Sequence, residues 1–165
     1  MEASKVIPTA PVAEFQPKIL ALVCTYCTYT AADMAGSARM QYPPTVRIVK
    51  YLCTGRIDIL HILKAFEAGA DAVMVSGCEA GSCHFLEGNL RARERVEYAK
   101  KLLAEIGLEP ERLEMFEVAA SDAPKWVMVV REMTERVKKL GPSPLHREGG
   151  SPAQVAAAVQ RVVAQ

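Results

Sequence analysis

Residues 18–23 read KILALV. An unbroken apolar run of this length is typical of a strand that is buried on both faces of a parallel sheet. Two more runs are rich in β-forming residues, VRIVKYL at 46–52 and ADAVMV at 70–75. A fourth, residues 113–119, contains Glu114 and Glu117 and is predicted to be an edge strand with one solvated face.

Helical patterns lie between these runs. Three of them have a capping residue at the start and a glycine at the end: Asp58 with Gly69, Asn89 with Gly107, and Asp122 with Gly141. A weaker pattern covers residues 31–40. The alternation of strands and helices predicts right-handed crossovers and an α/β fold, with a mostly parallel sheet of about four strands and helices on both faces, flavodoxin-like in architecture.

The chain is predicted to carry one main domain with two appendages. A proline-interrupted N-terminal arm, residues 1–17, precedes the α/β domain of residues 18–140. Residues 141–152 have the Gly-Pro-Ser composition of a linker, and residues 153–165 form an alanine-rich helical tail. Because so short a helix is barely stable alone, we expect the tail to dock on a partner or to stay loose.

Composition excludes several classes of function. Hydrophobic residues make up 50% and charged residues 24% of the chain, and 20 Lys and Arg against 19 Asp and Glu leave a net charge of +1. This balance lacks the basic excess of proteins that bind nucleic acid or anionic membranes. No apolar run approaches the roughly 20 residues of a membrane span, and the arm does not resemble a signal peptide. We therefore expect a cytoplasmic protein.

All five cysteines lie where a predicted strand ends. Cys24 and Cys27 follow the first strand, Cys53 follows the second, and Cys78 and Cys83 follow the third. Ligands of open α/β sheets bind at the carboxyl ends of the strands, so the five sulfurs converge if the strand order is the common 2-1-3-4. Since a reducing cytoplasm disfavours disulfides, this pattern indicates metal binding or thiol chemistry.

The cysteine spacings are those of chelating pairs. On spacing alone, Cys24 and Cys27 would chelate one iron of a [2Fe-2S] cluster and Cys78 and Cys83 the other, with Cys53 as a spare. Four thiolates also suit tetrahedral zinc, which would make the protein an adaptor that bridges two enzymes. A dithiol oxidoreductase is a third interpretation, although it leaves three cysteines without a role.

Glycines near the cysteines favour the cluster over zinc. Gly55, Gly77 and Gly81 would let backbone N–H groups approach the site closely. Such donors stabilise the negative charge of an all-thiolate cluster. We therefore predict that these three glycines form part of the cofactor site.

Several motifs, taken together, resemble one known family. They are Cys24-x-x-Cys27, Asp33-Met34-Ala35-Gly36, Arg39-Met40-Gln41-Tyr42-Pro43-Pro44, Cys53-Thr54-Gly55-Arg56, Gly77-Cys78 through Gly81-x-Cys83-His84, and Glu87-Gly88-Asn89. In these motifs the sequence resembles the iron-sulfur delta subunit of methyl-viologen-reducing hydrogenase, a small electron-transfer protein. It departs from the family at Tyr26, where members often have Trp, and the residues after Gly149 lie outside the resemblance.

The resemblance implies a function in a larger complex. It implies one [2Fe-2S] cluster that relays electrons between a hydrogenase, or another electron-donating dehydrogenase, and the flavoprotein subunit of a heterodisulfide-reductase-type complex. It implies no catalytic residues in the chain itself. Neither a nucleic acid nor a membrane is an expected partner.

Overall fold

Four parallel strands form a single sheet. The structure, a computed structural model, describes residues 15–146 and 151–163. Its strands are β1 (Ile19–Cys24), β2 (Val46–Tyr51), β3 (Ala72–Gly77) and β4 (Leu113–Glu117), arranged in the order β2-β1-β3-β4. Every residue of β1 and of β3 is buried, whereas most of β4 is only partly buried. The predicted parallel pairing is confirmed, and the strand order is the one on which the expected convergence of the cysteines depends.

Five α-helices connect and cover the strands. They are α1 (Thr30–Ser37), α2 (Ile59–Glu67), α3 (Gly88–Glu105), α4 (Ala123–Leu140) and α5 (Pro152–Val163). The predicted caps at Asp58 and Asp122 are confirmed, because their carboxylates accept hydrogen bonds from the backbone of Leu60 and Lys125. Among the helices of the described residues, none is long and apolar enough to cross a membrane.

The predicted cap at Asn89 is wrong. Helix α3 already begins at Gly88, so Asn89 lies inside its first turn. Its side-chain amide instead donates to the carbonyl oxygens of Cys78 at 3.1 Å and Glu79 at 2.8 Å. Asn89 therefore ties the chain that leaves β3 to the start of α3.

Both faces of the sheet are covered by helices, as predicted. Leu20 and Leu22 of β1 pack in the core formed with α2, α3 and α5. Their neighbours Ala21 and Val23 point to the opposite face, into the core formed with α1 and α4, where Trp126 is fully buried. This alternation follows from the two-residue period of a strand.

The C-terminal helix belongs to the core. Val155, Ala156 and Val159 of α5 are buried against the same core as α2, β1 and β2. The expectation that the tail stays loose or docks on a partner is therefore wrong, because its apolar face completes the layer of helices over β2. The division of the chain at 141–152 stays a prediction, and residues 1–14, 147–150 and 164–165 of the arm, linker and tail lie outside the described residues.

A buried carboxylate fixes the opposite edge of the sheet. Asp71, at the start of β3, is fully buried and accepts hydrogen bonds from the backbone N–H groups of Lys18 at 2.8 Å and Ser143 at 2.9 Å. The ring of His146 lies 2.8 Å from the same carboxylate. These contacts satisfy a charge that would be costly to bury alone, and they hold residues 143–146 against the domain.

Candidate metal centre

Five sulfurs meet at the carboxyl ends of β1, β2 and β3. Cys24 is the last residue of β1, and Cys27 lies in the π-helical turn Thr25–Tyr29 that follows. Cys53 lies two residues beyond β2 and Cys78 one residue beyond β3. Together with Cys83 they form one cluster at this edge. The predicted convergence of the cysteines is confirmed.

The sulfurs form two neighbouring groups. The Sγ atoms of Cys53 and Cys83 are 3.9 Å apart, and those of Cys24 and Cys78 are also 3.9 Å apart. The Cys27 sulfur is in disulfide contact with that of Cys78, a contact that the sequence did not predict. Two thiolates on one tetrahedral metal lie about 3.8 Å apart when the metal–sulfur distance is about 2.3 Å. Each 3.9 Å pair therefore has the spacing of two ligands on one metal.

These pairs differ from those expected on sequence spacing. Cys83 lies beside Cys53, which spacing marked as the spare, and Cys78 lies beside Cys24. The reason is the path of residues 79–87, which leave β3 and carry Cys83 across to the chain that follows β2. Asn89 secures the beginning of this path through the carbonyl oxygens of Cys78 and Glu79.

The start of α3 stabilises a thiolate at Cys83. Burial raises the pKa of the Cys83 thiol, but the backbone N–H groups of Phe85, Asn89 and Gly88 face its sulfur and bring the pKa below the usual value. These groups belong to the loop before α3 and to its first turn, where N–H groups have no partner within the helix. They act together with the positive end of the helix dipole.

The pKa of the Cys53 thiol is shifted in the opposite direction, upward. Burial raises the pKa of its thiol above the usual value, and the nearby Cys83 and Cys24 thiols add to the rise. The backbone N–H of Gly55, which donates to the Cys53 sulfur at 3.4 Å, opposes these effects. A cation held between Cys53 and Cys83 would remove the repulsion between the two thiolates.

Two glycines allow the sulfurs to approach the backbone. A Cβ atom on Gly88 would overlap the Cys53 Sγ and lie 3.3 Å from the Cys83 Sγ. A Cβ atom on Gly55 would lie 2.8 Å from the Gly88 Cα. Gly55 and Gly88 therefore form a tight backbone contact beside the Cys53–Cys83 pair. Sequence reasoning did not assign Gly88 to the site, although its motif Glu87-Gly88-Asn89 is a signal that could have found it.

The other two predicted glycines lie in different surroundings. A Cβ atom on Gly77 would lie 2.7 Å from the Thr54 side chain, so this glycine makes room for Thr54. Gly81 has a φ of +77° and open space around it, which is typical of a turn. Their participation in a cofactor site stays a prediction.

Exposed aromatic and leucine side chains surround the cysteines. The Tyr26 ring stacks on His84, with ring centroids 4.3 Å apart, and Phe85 packs edge-on against both rings. Leu86 is 84% exposed and Leu52 60%. We call these five residues the apolar rim. Contiguous exposed apolar surface of this kind marks an interaction site.

An open cavity of about 580 Å³ adjoins the apolar rim. Leu52, Phe85 and Leu86 line it, and Cys53 reaches its wall. Arg56 and Arg91 add two guanidinium groups to its border. The cavity thus gives the Cys53–Cys83 pair an approach from the surface.

Comparison with protein families assigns the chain. The family described as "Methyl-viologen-reducing hydrogenase, delta subunit" matches residues 19–141, which include all five cysteines. The chain belongs to this family. The resemblance that its motifs indicate is thereby confirmed, and the converging cysteines lie inside the region that defines the delta-subunit family.

Two relatives of this chain are named as iron-sulfur subunits of hydrogenases. The chain is 54% identical over 129 residues to the vhu iron-sulfur subunit of the F420-non-reducing hydrogenase of Methanocaldococcus jannaschii, a match that covers 78% of this chain and 96% of the relative. It is 44% identical to the iron-sulfur subunit of the F420-non-reducing hydrogenase of Archaeoglobus profundus, over 81% of this chain and 98% of the relative.

A second kind of relative is much longer. The chain is 34% identical over 134 residues to one subunit of the ferredoxin:CoB-CoM heterodisulfide reductase of Methanosarcina mazei. The match covers 80% of this chain but only 17% of that protein. In that relative, the region similar to this chain is a small part of a much longer polypeptide.

Proposed function

We propose that this delta-subunit-family protein is an electron-transfer subunit with a [2Fe-2S] cluster at the carboxyl ends of β1, β2 and β3. It relays single electrons between a hydrogenase, or another electron-donating dehydrogenase, and the flavoprotein subunit of a heterodisulfide-reductase-type complex in the cytoplasm. The observation that carries the proposal is the arrangement of four sulfurs in two pairs, each 3.9 Å apart.

The sulfur geometry favours two metal ions over one. A single tetrahedral zinc needs four ligand atoms that are all about 3.8 Å from one another. Among the described residues, the set of sulfurs that lie within 4.8 Å of one another contains only Cys24, Cys27 and Cys78. Cys53 and Cys83 form their own pair outside this set. A [2Fe-2S] cluster, which has two tetrahedral irons, accommodates both groups.

Two cysteine pairs are the proposed ligands. Cys53 and Cys83 would hold one iron, and Cys24 and Cys78 the other. Cys27 lies in the same group of sulfurs as Cys24 and Cys78, but it is more exposed than the other four cysteines, and on that ground we assign it as the fifth, non-ligating cysteine. When bound, the cluster would supply a one-electron carrier.

The surrounding residues exclude water from the site and compensate its negative charge. Cys24 and Cys78 are only 1% exposed, so the protein excludes water from one side of it. On the other side, the backbone N–H groups at the start of α3 and at Gly55 offset negative charge. The apolar rim brings the site near the surface, where a partner can approach.

The relatives support the choice of partners. Two relatives are named as iron-sulfur subunits of hydrogenases, and a similar region occurs within a much longer heterodisulfide reductase polypeptide. A relay protein between these two kinds of enzyme accounts for both similarities. The apolar rim is the surface through which we expect such a partner to bind.

Substitution of the rim should separate the protein from its flavoprotein partner. We expect the native tagged chain, purified without oxygen, to recover a flavoprotein of the heterodisulfide-reductase type, identified by mass spectrometry. Leu86→Asp should lower that recovery at least about tenfold, because it places a charge in an apolar contact. Leu86 has a φ of +67°, which Asp adopts more readily than Leu, so the fold should tolerate the change.

The matched control is Ile106→Asp. Ile106 is 65% exposed but follows the last turn of α3, at the opposite end of that helix from the rim. This variant should recover the flavoprotein as the wild type does, and both variants should keep their iron content. Unchanged recovery with Leu86→Asp, or a wild-type chain that is isolated alone, would contradict the proposed relay.

A further inference from the structure

Hydrogen-bond donors are distributed unevenly around the two sulfur pairs. The backbone N–H of Gly55 donates to Cys53 at 3.4 Å. Gly88, the first residue of α3, packs against both sulfurs of this pair, since a Cβ atom on it would overlap the Cys53 Sγ and lie 3.3 Å from the Cys83 Sγ. The first turn of an 18-residue helix therefore points its partial positive charge at this pair.

The Cys24–Cys78 pair has a less favourable environment for negative charge. The Cys24 sulfur lies 3.7 Å from the carbonyl oxygen of Leu52, which is an acceptor and carries a partial negative charge. Both cysteines are 1% exposed, so water contributes little. Cys83, in contrast, is 9% exposed, and Cys53 reaches the wall of the open cavity.

A positive side chain reinforces the difference. Arg56 borders the cavity that Cys53 reaches, whereas Arg91 on the same border is paired with Glu87. Burying extra charge costs least where dipoles, cations and solvent compensate it. Each of these three contributions is present at the Cys53–Cys83 pair.

Reduction of a [2Fe-2S] cluster adds one electron, which turns one of its two ferric ions into a ferrous ion. No bond forms or breaks and no proton is needed, and the electron comes from the donor protein. We propose that Cys53 and Cys83 hold the iron that receives this electron. The inference rests on the proposed function, and it adds which half of the site is reduced.

Arg95 is the positioning residue for this half. Its guanidinium donates to the carbonyl oxygens of Gly55 at 2.7 Å and Ile57 at 2.9 Å. These bonds anchor residues 55–57 to α3 and so keep the Gly55 N–H directed at Cys53. Arg95 thus acts on the potential through the loop that carries the Gly55 N–H.

The first test measures the reduction potential of three variants. Arg95→Gln should lower the potential by an amount equal to about a tenfold change in the one-electron equilibrium, ~59 mV. Arg91→Gln removes the same charge one turn nearer the start of α3, where Arg91 pairs with Glu87, and should have a smaller effect. Arg95→Lys, which keeps the charge and can still donate to a carbonyl oxygen, should partly restore the potential. Equal shifts in Arg95→Gln and Arg91→Gln would overturn the positioning role.

The second test locates the electron in the wild-type protein. Cysteines labelled with ¹³C at Cβ give strongly shifted NMR signals in the reduced state, and ferric and ferrous ligands differ in the temperature dependence of those shifts. Proximity to ¹⁵N-labelled Gly55 and Gly88 assigns the signals of Cys53 and Cys83. We expect these two to show ferrous behaviour.

Ferrous behaviour at Cys24 and Cys78, or equal behaviour at all four ligands, would overturn the inference and leave the proposed function intact. A purified protein without iron would instead contradict the proposed function itself. The two failures are therefore distinguishable.

Discussion

Gly88→Ala is expected to abolish binding of the cluster. A methyl group at this position would overlap the Cys53 sulfur and press on that of Cys83. The backbone cannot retreat, because Gly55 already packs against the Gly88 Cα. We expect iron and labile sulfide per chain to fall at least about tenfold, measured by chemical analysis of protein purified without oxygen.

Gly36→Ala is the matched control. Gly36 lies inside α1, and a Cβ atom there would have open space around it. This variant should keep its full iron content and gain up to about 1 kcal/mol in the free energy of unfolding, because alanine favours a helix more than glycine does. Wild-type iron content in Gly88→Ala would show that Cys53 and Cys83 do not bind metal in the arrangement described.

Single Cys→Ser substitutions should separate four cysteines from the fifth. We expect loss of the cluster, seen as loss of the visible absorption and of iron, for each ligand replaced: Cys24, Cys53, Cys78 and Cys83. Cys27→Ser should keep most of its iron, because Cys27 is more exposed than the other four cysteines and is not among the proposed ligands. The same absorption spectrum and iron analysis measure all five variants.

The opposite pattern would support the pairing expected from sequence spacing. In that pairing Cys24 with Cys27 and Cys78 with Cys83 are the ligands, so Cys53→Ser would keep the cluster and Cys27→Ser would lose it. The Cys53 variant is therefore the most informative of the series. Its result decides between spatial proximity and sequence spacing as the guide to the ligands.

The fold was largely predictable because burial controls it. Residues 18–23 are apolar at nearly every position, which is typical of a strand between two layers of helices, and the structure places β1 at the centre of the sheet. Asp58 and Asp122 predicted two helix starts because their capping interaction is local. The position of the cysteines followed, since parallel strands end at one edge.

The remaining features depend on tertiary structure. The partner of Cys83 is set by the path of residues 79–87, which no local pattern specifies. Gly88 matters only because the Cys53 sulfur packs against it from a distant part of the sequence. The stability of α5 likewise comes from Val155 and Val159, which pack on a core that the isolated helix lacks.

The most direct test of the relay is the metal content and EPR spectrum of the full chain purified without oxygen. We predict a brown protein with about two iron ions and about two labile sulfides per chain, and an EPR signal that appears on one-electron reduction. A colourless protein with one zinc ion and no labile sulfide would contradict the account.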